Sequence, residues 1–375
     1  MATAAQASRA HRHLPALEGL RFVAAAGVVA THAAFQTGMD PASPVGSVLA
    51  RFDFFVSVFY ALSAFLLWRS YGPGTGRLQV GRYWRSRAGR ILPAYLALVV
   101  AVVVLLPEAT TMTWRQVLAN LTMTQIYWPD GLVGGLTHLW SLCVEAAFYL
   151  VFPLVVLALR RLPAPGRAAA IVLLAALSFW WAYLPFVADT PAEGVANRQI
   201  WPPAYASWFA VGLLAAEYEG HRVPRIFRVR WLWWALALLT AWVAGQEWFG
   251  PLGLTHPSPG EFARRILAGA VFAFCVVVPV ALAPGDRVLS SPVMTTLGRW
   301  SYSVFLWHLP VMAVVFPLAG IDYFSGHFAL VLALTLGLTV VVSALSYEFI
   351  EVPGARLVRG FRPGSEQARA AASTH

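Results

Sequence analysis

Apolar residues run along this chain in long blocks, broken by short segments that carry most of the charge. Phe328 to Tyr347 holds no charged residue, nor does Ile266 to Ala283. Each is close to the roughly 20 residues that carry a helix across a bilayer core. Ten such spans are predicted, at about 22–37, 53–69, 91–106, 138–158, 168–187, 204–217, 231–246, 265–283, 300–318 and 328–347. The expected fold class is therefore all-α, a polytopic membrane helix bundle of about ten transmembrane helices. No soluble domain of ordinary length fits between the blocks, and no internal repeat is visible. The expected organisation is an N-terminal segment over 1–18, a transmembrane domain over 19–353 and a polar, disordered tail over 354–375.

Composition agrees with the pattern. Of 375 residues, 59% are hydrophobic and 12% charged, about half the charged share of an ordinary soluble domain. The net charge of +10 raises nucleic acid as a partner, but the location of the charge argues against it. There is no Lys, and the 27 basic residues are all Arg, gathered between apolar blocks. With an N-terminus inside, only Arg51, Arg115, Arg198, Arg264 and Arg265 fall in outward-facing segments, and the other 22 fall inside. That asymmetry is the positive-inside pattern, and it predicts both termini in the cytoplasm. Residues 1–18 lack the apolar core of a cleavable signal peptide. Absence of Lys beside abundant Ala, Arg, Gly and Pro suits a GC-rich bacterial gene, hence a multi-pass protein of the plasma (inner) membrane. The two cysteines, Cys143 and Cys275, lie inside apolar blocks, with neither metal-site spacing nor a disulfide framework. No metal is expected.

Several polar residues interrupt the spans. Arg21 and His32 are eleven positions apart, which returns them to one helical face about 16 Å apart along the axis. An ionisable group at that depth faces a protein interior or a cavity; His32 is either a functional group or a neutral imidazole on a backbone carbonyl. Arg82, Arg85, Arg87 and Arg90 precede the third span, as a topology signal or as a clamp for phosphates, which guanidinium groups grip bidentately. His138, Ser141, Glu145 and Tyr149 form a stripe along one face of the fourth span. Glu145 is a reactive carboxylate or one half of a structural ion pair. Ser301 and His308 share a face of the ninth span just before Pro310, with functional and structural readings of His308 evenly matched. Glu348 and Glu351, after the tenth span, read as helix-end residues. Together these groups imply a polar cavity within the membrane.

In chain order the sequence carries Arg21 and His32 with ten residues between; FDFFVSVFYALSAFLLWR; RYWRSRAGRILPAY; HLWSLCVEAAFYLVFP; LGRWSYSVFLWHLPV; and SYEFIEVP. On these motifs it resembles the acyltransferase 3 family of bacterial membrane O-acyltransferases. Ala64 stands where glycine is usual, Glu18 where Asp is common and Phe22 where a small residue is frequent. The length resembles the stand-alone form, not members fused to an extracytoplasmic esterase-like domain. The resemblance implies transfer of an acyl group, often acetyl, from acyl-CoA as co-substrate to a hydroxyl. The acceptor would be a carbohydrate, a glycolipid or a glycosylated secondary metabolite such as a macrolide. No bound cofactor is implied.

That chemistry assigns His32 as general base, assisted by Glu145, since a sugar hydroxyl needs a base poised near neutral pH. Arg21, Arg87 and Arg90 would bind donor phosphates or stabilise charge. Ser141 and Tyr302 are candidate oxyanion donors, and His308 is a further substrate-binding residue. The expected partners are the donor, the hydroxyl-bearing acceptor and the lipid bilayer, with no nucleic acid. A rival reading is a transporter or flippase of a glycan or lipid-linked substrate, although inverted repeats and broken helix pairs are not visible. A non-catalytic scaffold leaves the buried His and Glu unexplained.

Overall fold

The structure, a computed structural model, describes residues 14–76, 78–191, 197–252 and 255–360. Expectations for residues 1–13, for Arg77 and for the tail beyond 360 lie outside the described residues. Within them there is no strand. The helices are α1 (Pro15–Gln36), α2 (Pro44–Ala50), α3 (Phe55–Tyr71), α4 (Val80–Leu105), α5 (Trp114–Leu121), α6 (Trp140–Leu159), α7 (Ala164–Ser178), α8 (Pro185–Ala188), α9 (Ala206–Tyr218), α10 (Arg230–Ala244), α11 (Pro259–Leu282), α12 (Pro292–Ala319), α13 (Phe328–Ser346) and α14 (Val352–Gly360).

Each predicted span falls on a helix, and seven helical segments are long and apolar enough to cross a membrane. These are built on α3, α4, α6, α7, α11, α12 and α13. Helices α9 and α10, with 13 and 15 residues, are shorter than a full crossing. Helix α1 mixes Glu18, Arg21 and His32 into its 22 residues. The protein is an all-α membrane bundle.

Several helices begin earlier than the apolar pattern predicts, and capping explains two of them. Ser258 and Glu261 form a reciprocal capping box with Pro259 in the first turn, which starts α11 at 259 instead of 265. Ser291 accepts from the Met294 amide ahead of Pro292, which starts α12 at 292 instead of 300. Helix α4 starts at Val80, so all four arginines of RYWRSRAGR are already helical. The chain also stays helical past the last span: a π-helical turn over Tyr347–Glu351 leads into α14, which packs on α4 with Ala355 and Val358 against Gly89. Residues 354–360 are thus a docked helix and not the disordered tail expected for them.

The centre of the bundle is α1, α3, α9 and α12, and backbones touch there. A Cβ on Gly212 of α9 would lie 1.9 Å from the Ala61 carbonyl oxygen of α3. One on Gly298 of α12 would lie 2.1 Å from the Glu18 carbonyl oxygen of α1, and one on Gly19 2.1 Å from that of Leu289. Apolar burial does not separate a bilayer from a protein interior, so close packing of small residues supplies the association. Gly212→Val should cost about 1–3 kcal/mol through overpacking against a backbone that has nowhere to go. Thermal unfolding in detergent would show it; an unshifted midpoint would mean that the helices part easily.

Polar contacts sort the bundle into two ends. At one, Arg69 pairs with Glu219 at 2.7 Å, Arg167 grips both oxygens of Glu217 at 2.6 and 2.8 Å, and the Trp68 indole donates to Glu217. At the other, the guanidinium groups of Arg51 and Arg265 donate to the carbonyls of Ala244 and Phe249. These ends match the arginine-rich and arginine-poor sets of the sequence.

Candidate active site

Helices α1, α3, α4, α6 and α12 converge on two polar tiers. The tier nearer the arginine-rich end is a narrow slot of about 50 Å³ whose polar lining includes Arg21, Ser63, Arg90, Glu145, Tyr149 and Tyr302. Glu145 accepts from Ser63 at 2.6 Å and from the Tyr149 hydroxyl at 2.5 Å. The Tyr149 hydroxyl also lies 3.1 Å from Ser63. Arg87 lies over the Tyr149 ring, 5.8 Å from its centroid, with a buried Nε that has no acceptor. Neither Arg21 nor Arg90 forms a side-chain hydrogen bond or ion pair among the described residues. Arg21 and Arg90 line the slot and Arg87 lies on the ring of one of its tyrosines, so guanidinium groups gather beside a carboxylate that is already hydrogen-bonded.

The second tier is a cluster of imidazoles about 10 Å further along the helices, by the seven-residue rise from Glu145 to His138. His32, His138 and His308 come from α1, from the 3-10 turn opening α6, and from α12. His308 Nε2 is 3.0 Å from His32 Nδ1, and the His138 and His308 ring centroids are 4.8 Å apart.

Backbone carbonyls, which only accept, fix the tautomers. His308 Nδ1 lies 2.6 Å from Phe305 O, so it carries the proton and leaves Nε2 as an acceptor. His32 Nδ1 faces that acceptor and Val28 O, each at 3.0 Å, so it too carries the proton. The lone pair of His32 is then on Nε2, which makes no hydrogen bond and is not among the sealed polar atoms. His138 Nε2 donates to Leu306 O at 2.9 Å, leaving a buried Nδ1 lone pair without a partner. The Phe305 ring, which lines the slot, packs on His138 and His308 and divides the tiers.

The structure gathers His32, Glu145, Arg21, Arg87, Arg90, Ser141, Tyr302 and His308 in or beside the two tiers but redistributes their contacts, and Arg82, Arg85 and Glu348 lie exposed outside them. Glu145 does not touch His32; its partners are Ser63 and Tyr149, and His32 is oriented by His308. The Ser141 hydroxyl is spent on His138 O at 3.1 Å, and Tyr302 donates to Ile91 O at 2.9 Å, tying α12 to α4. Neither hydroxyl proton is free for an oxyanion. His138 had been read as part of a stripe without a role of its own, and its convergence with His308 is a tertiary fact. Ser63 is not among the residues the sequence points to; a hydroxyl inside an apolar span, one of three with Ser57 and Tyr60, was its signal. Glu351, expected at a helix end, bonds Ser303, which also lies 3.0 Å from Ser346, so the π-helical turn aims it inward.

The site is thus an arginine-bordered slot and a histidine cluster inside a helix bundle. The chain belongs to the acyltransferase family described as the acyltransferase domain, matched over residues 14–348. It is 30% identical to the acyltransferase MdmB of Streptomyces mycarofaciens, over 93% of this chain and 94% of that protein. It is 25% identical to the O-acetyltransferase OatA of Staphylococcus aureus strain NCTC 8325, over 91% of this chain. The putative O-acetyltransferase SACOL0978 of strain COL is 24% identical over the same share, and in both cases the match spans 57% of the longer relative. No solved structure matches. The protein is an enzyme that transfers acyl groups other than amino-acyl groups, which decides against the transporter reading.

Proposed function

We propose that the protein moves an acyl group, acetyl first among candidates, from acyl-CoA to a hydroxyl of a carbohydrate, glycolipid or glycosylated metabolite at the bacterial plasma membrane. The observation that carries this reading is the unengaged Nε2 lone pair of His32, on the same helix face as Arg21 and about 16 Å from it. A pantetheine arm extends over about the length of four peptide residues, roughly 14 Å. Phosphates held by Arg21, Arg87 and Arg90 would therefore deliver a thioester to the level of the histidines.

His32 Nε2 takes the acceptor hydroxyl's proton as that oxygen attacks the thioester carbonyl. The tetrahedral intermediate collapses by breaking the C–S bond, and the departing thiolate takes the proton back from the imidazolium. His308 holds the imidazole in the reactive tautomer. Support for an oxygen acceptor and an acetyl donor comes from the names of the staphylococcal relatives.

The test is mass spectrometry of glycans, lipids and metabolites from cells with and without the gene, followed by transfer from acetyl-CoA by the purified protein. A mass difference of one acyl unit that depends on the gene supports the reading, and transfer from another donor alone removes acyl-CoA from it. Replacing either Arg87 or Arg90 by Ala should weaken acyl-CoA binding roughly tenfold to hundredfold, a lost charge-assisted contact being worth about 1.5–3 kcal/mol, and replacing both should weaken it further. Unchanged affinity would reduce the pair to a topology signal. The arginine asymmetry further predicts cytoplasmic termini: reporters fused at the C-terminus and within residues 107–137 should give opposite sidedness, and agreement between them would sink the ten-span topology.

A further inference from the structure

A larger cavity, of about 710 Å³, opens at the arginine-rich end. Its walls are the backbone of Gly72, Gly74 and Gly76 in the loop after α3, Leu157 of α6, and Arg160 and Arg161 just past α6. No carboxylate lines it, and neither arginine forms a side-chain hydrogen bond or ion pair among the described residues. The volume lies within the roughly 300–1,000 Å³ of small-molecule sites. The glycines leave backbone open to a ligand, and the guanidinium pair supplies the geometry that phosphate favours.

The three helices that border the cavity, α3, α4 and α6, also border the slot. From Ser63 to Tyr71 on α3, Tyr149 to Val156 on α6 and Val80 to Arg90 on α4, the rise is about 12, 10 and 15 Å. Between them stands an aromatic partition. Tyr83 is wholly buried, stacked on Phe152 with centroids 5.6 Å apart and edge-on to Tyr71 at 5.2 Å. Its hydroxyl has no hydrogen-bond partner, and a buried hydroxyl left unpaired is costly unless a ligand completes it.

We propose that this cavity binds the nucleoside 3′-phosphate end of the donor, with Arg160 and Arg161 on the phosphate and the Tyr83 hydroxyl on the chain that runs inward to the slot. The inference rests on the acyl-CoA reading above and extends it: cavity, slot and histidine cluster take the nucleoside, the pyrophosphate and the thioester in turn, along a line of about 20–30 Å.

The experiment measures binding of adenosine 3′,5′-bisphosphate to the full chain in nanodiscs of phosphatidylcholine alone, and again with phosphatidylglycerol. Arg160→Gln with Arg161→Gln should weaken it roughly tenfold or more, and the KM for acetyl-CoA should rise by a similar factor with a much smaller change in kcat. Because these charges also mark topology, Leu157→Trp provides a second variant; it keeps both arginines, narrows the cavity and should likewise weaken the bisphosphate. Native affinity in both variants overturns the proposal. So does loss of bisphosphate binding on adding phosphatidylglycerol, which would make the cavity a lipid-headgroup site. If the native protein transfers from acetyl-CoA and the cavity variants bind and turn over as it does, the site is wrong and the donor stands. If acetyl-CoA is no donor at all, both fall.

Discussion

His32→Gln should lower acyl transfer by about 10²–10⁴, the usual contribution of a positioned general base, while folded protein is recovered in normal amounts. Glutamine preserves much of the hydrogen bonding to Val28 O and His308 but does not take and return a proton, and His32→Ala should fail equally. Activity of the native protein should rise with pH along an acid limb, because only the neutral ring is a base, and the residual activity of the variant should lack that limb. His308→Ala should cost less. Val28 O still accepts from His32 Nδ1, so the reactive tautomer survives with a looser ring. The measurement is turnover by purified variants at matched amounts across pH. Near-normal turnover in His32→Gln would move the base elsewhere.

Glu145→Ala should act on a different property. It removes the acceptor of two short hydrogen bonds, from Ser63 and Tyr149, and leaves Arg21, Arg87 and Arg90 facing one another without a counter-charge. At about 1.5 kcal/mol for each charge-assisted bond, roughly 3 kcal/mol of stability should disappear, with donor affinity falling as the arginines splay. Glu145→Gln keeps an acceptor and should recover much of the stability. If Glu145 instead assisted His32 directly, the rate losses of the two single variants would not add. The geometry predicts that they do add in the double variant, to within about 0.5 kcal/mol, and that the pH profile of Glu145→Gln keeps its imidazole limb. A strong coupling between the two sites would restore the Glu145–His32 pairing.

The sequence exposed the helices better than their contacts, for physical reasons. Hydrophobic period and arginine placement are local properties, so α4, α6 and α13 were evident at once. Helix starts at Pro259 and Pro292 depend on caps that lie outside the apolar pattern. The shared face of Arg21 and His32 was legible because both ride on one helix with a known rise. The pairing of His32 with His308, 276 positions away, was not, since it depends on how α1 and α12 cross. Glu145 was rightly read as needing a partner, but a buried carboxylate is satisfied as well by two hydroxyls as by a histidine, and spacing does not distinguish them. The hydroxyls of Ser141 and Tyr302 looked available because the carbonyls that accept from them, His138 O and Ile91 O, are invisible in a string of side chains.

The glycine contacts at the centre of the bundle bear on how substrates get in. Gly298 clamps α12 to α1, Gly19 clamps α1 to the chain leading into α12, and Gly212 clamps α9 to α3, each with carbonyl oxygen where a methyl would otherwise stand. Helices seated backbone on backbone do not tilt past one another without prising these seams open, so the molecule lacks the sliding halves with which a carrier exposes a site first to one side and then to the other. The rings that stand between the polar compartments are Tyr83, packed on Phe152 and Tyr71, and Phe305, packed on His138 and His308. Because Arg21 and His32 ride on one helix, the span between them is set by its rise of about 16 Å and not by how helices are arranged.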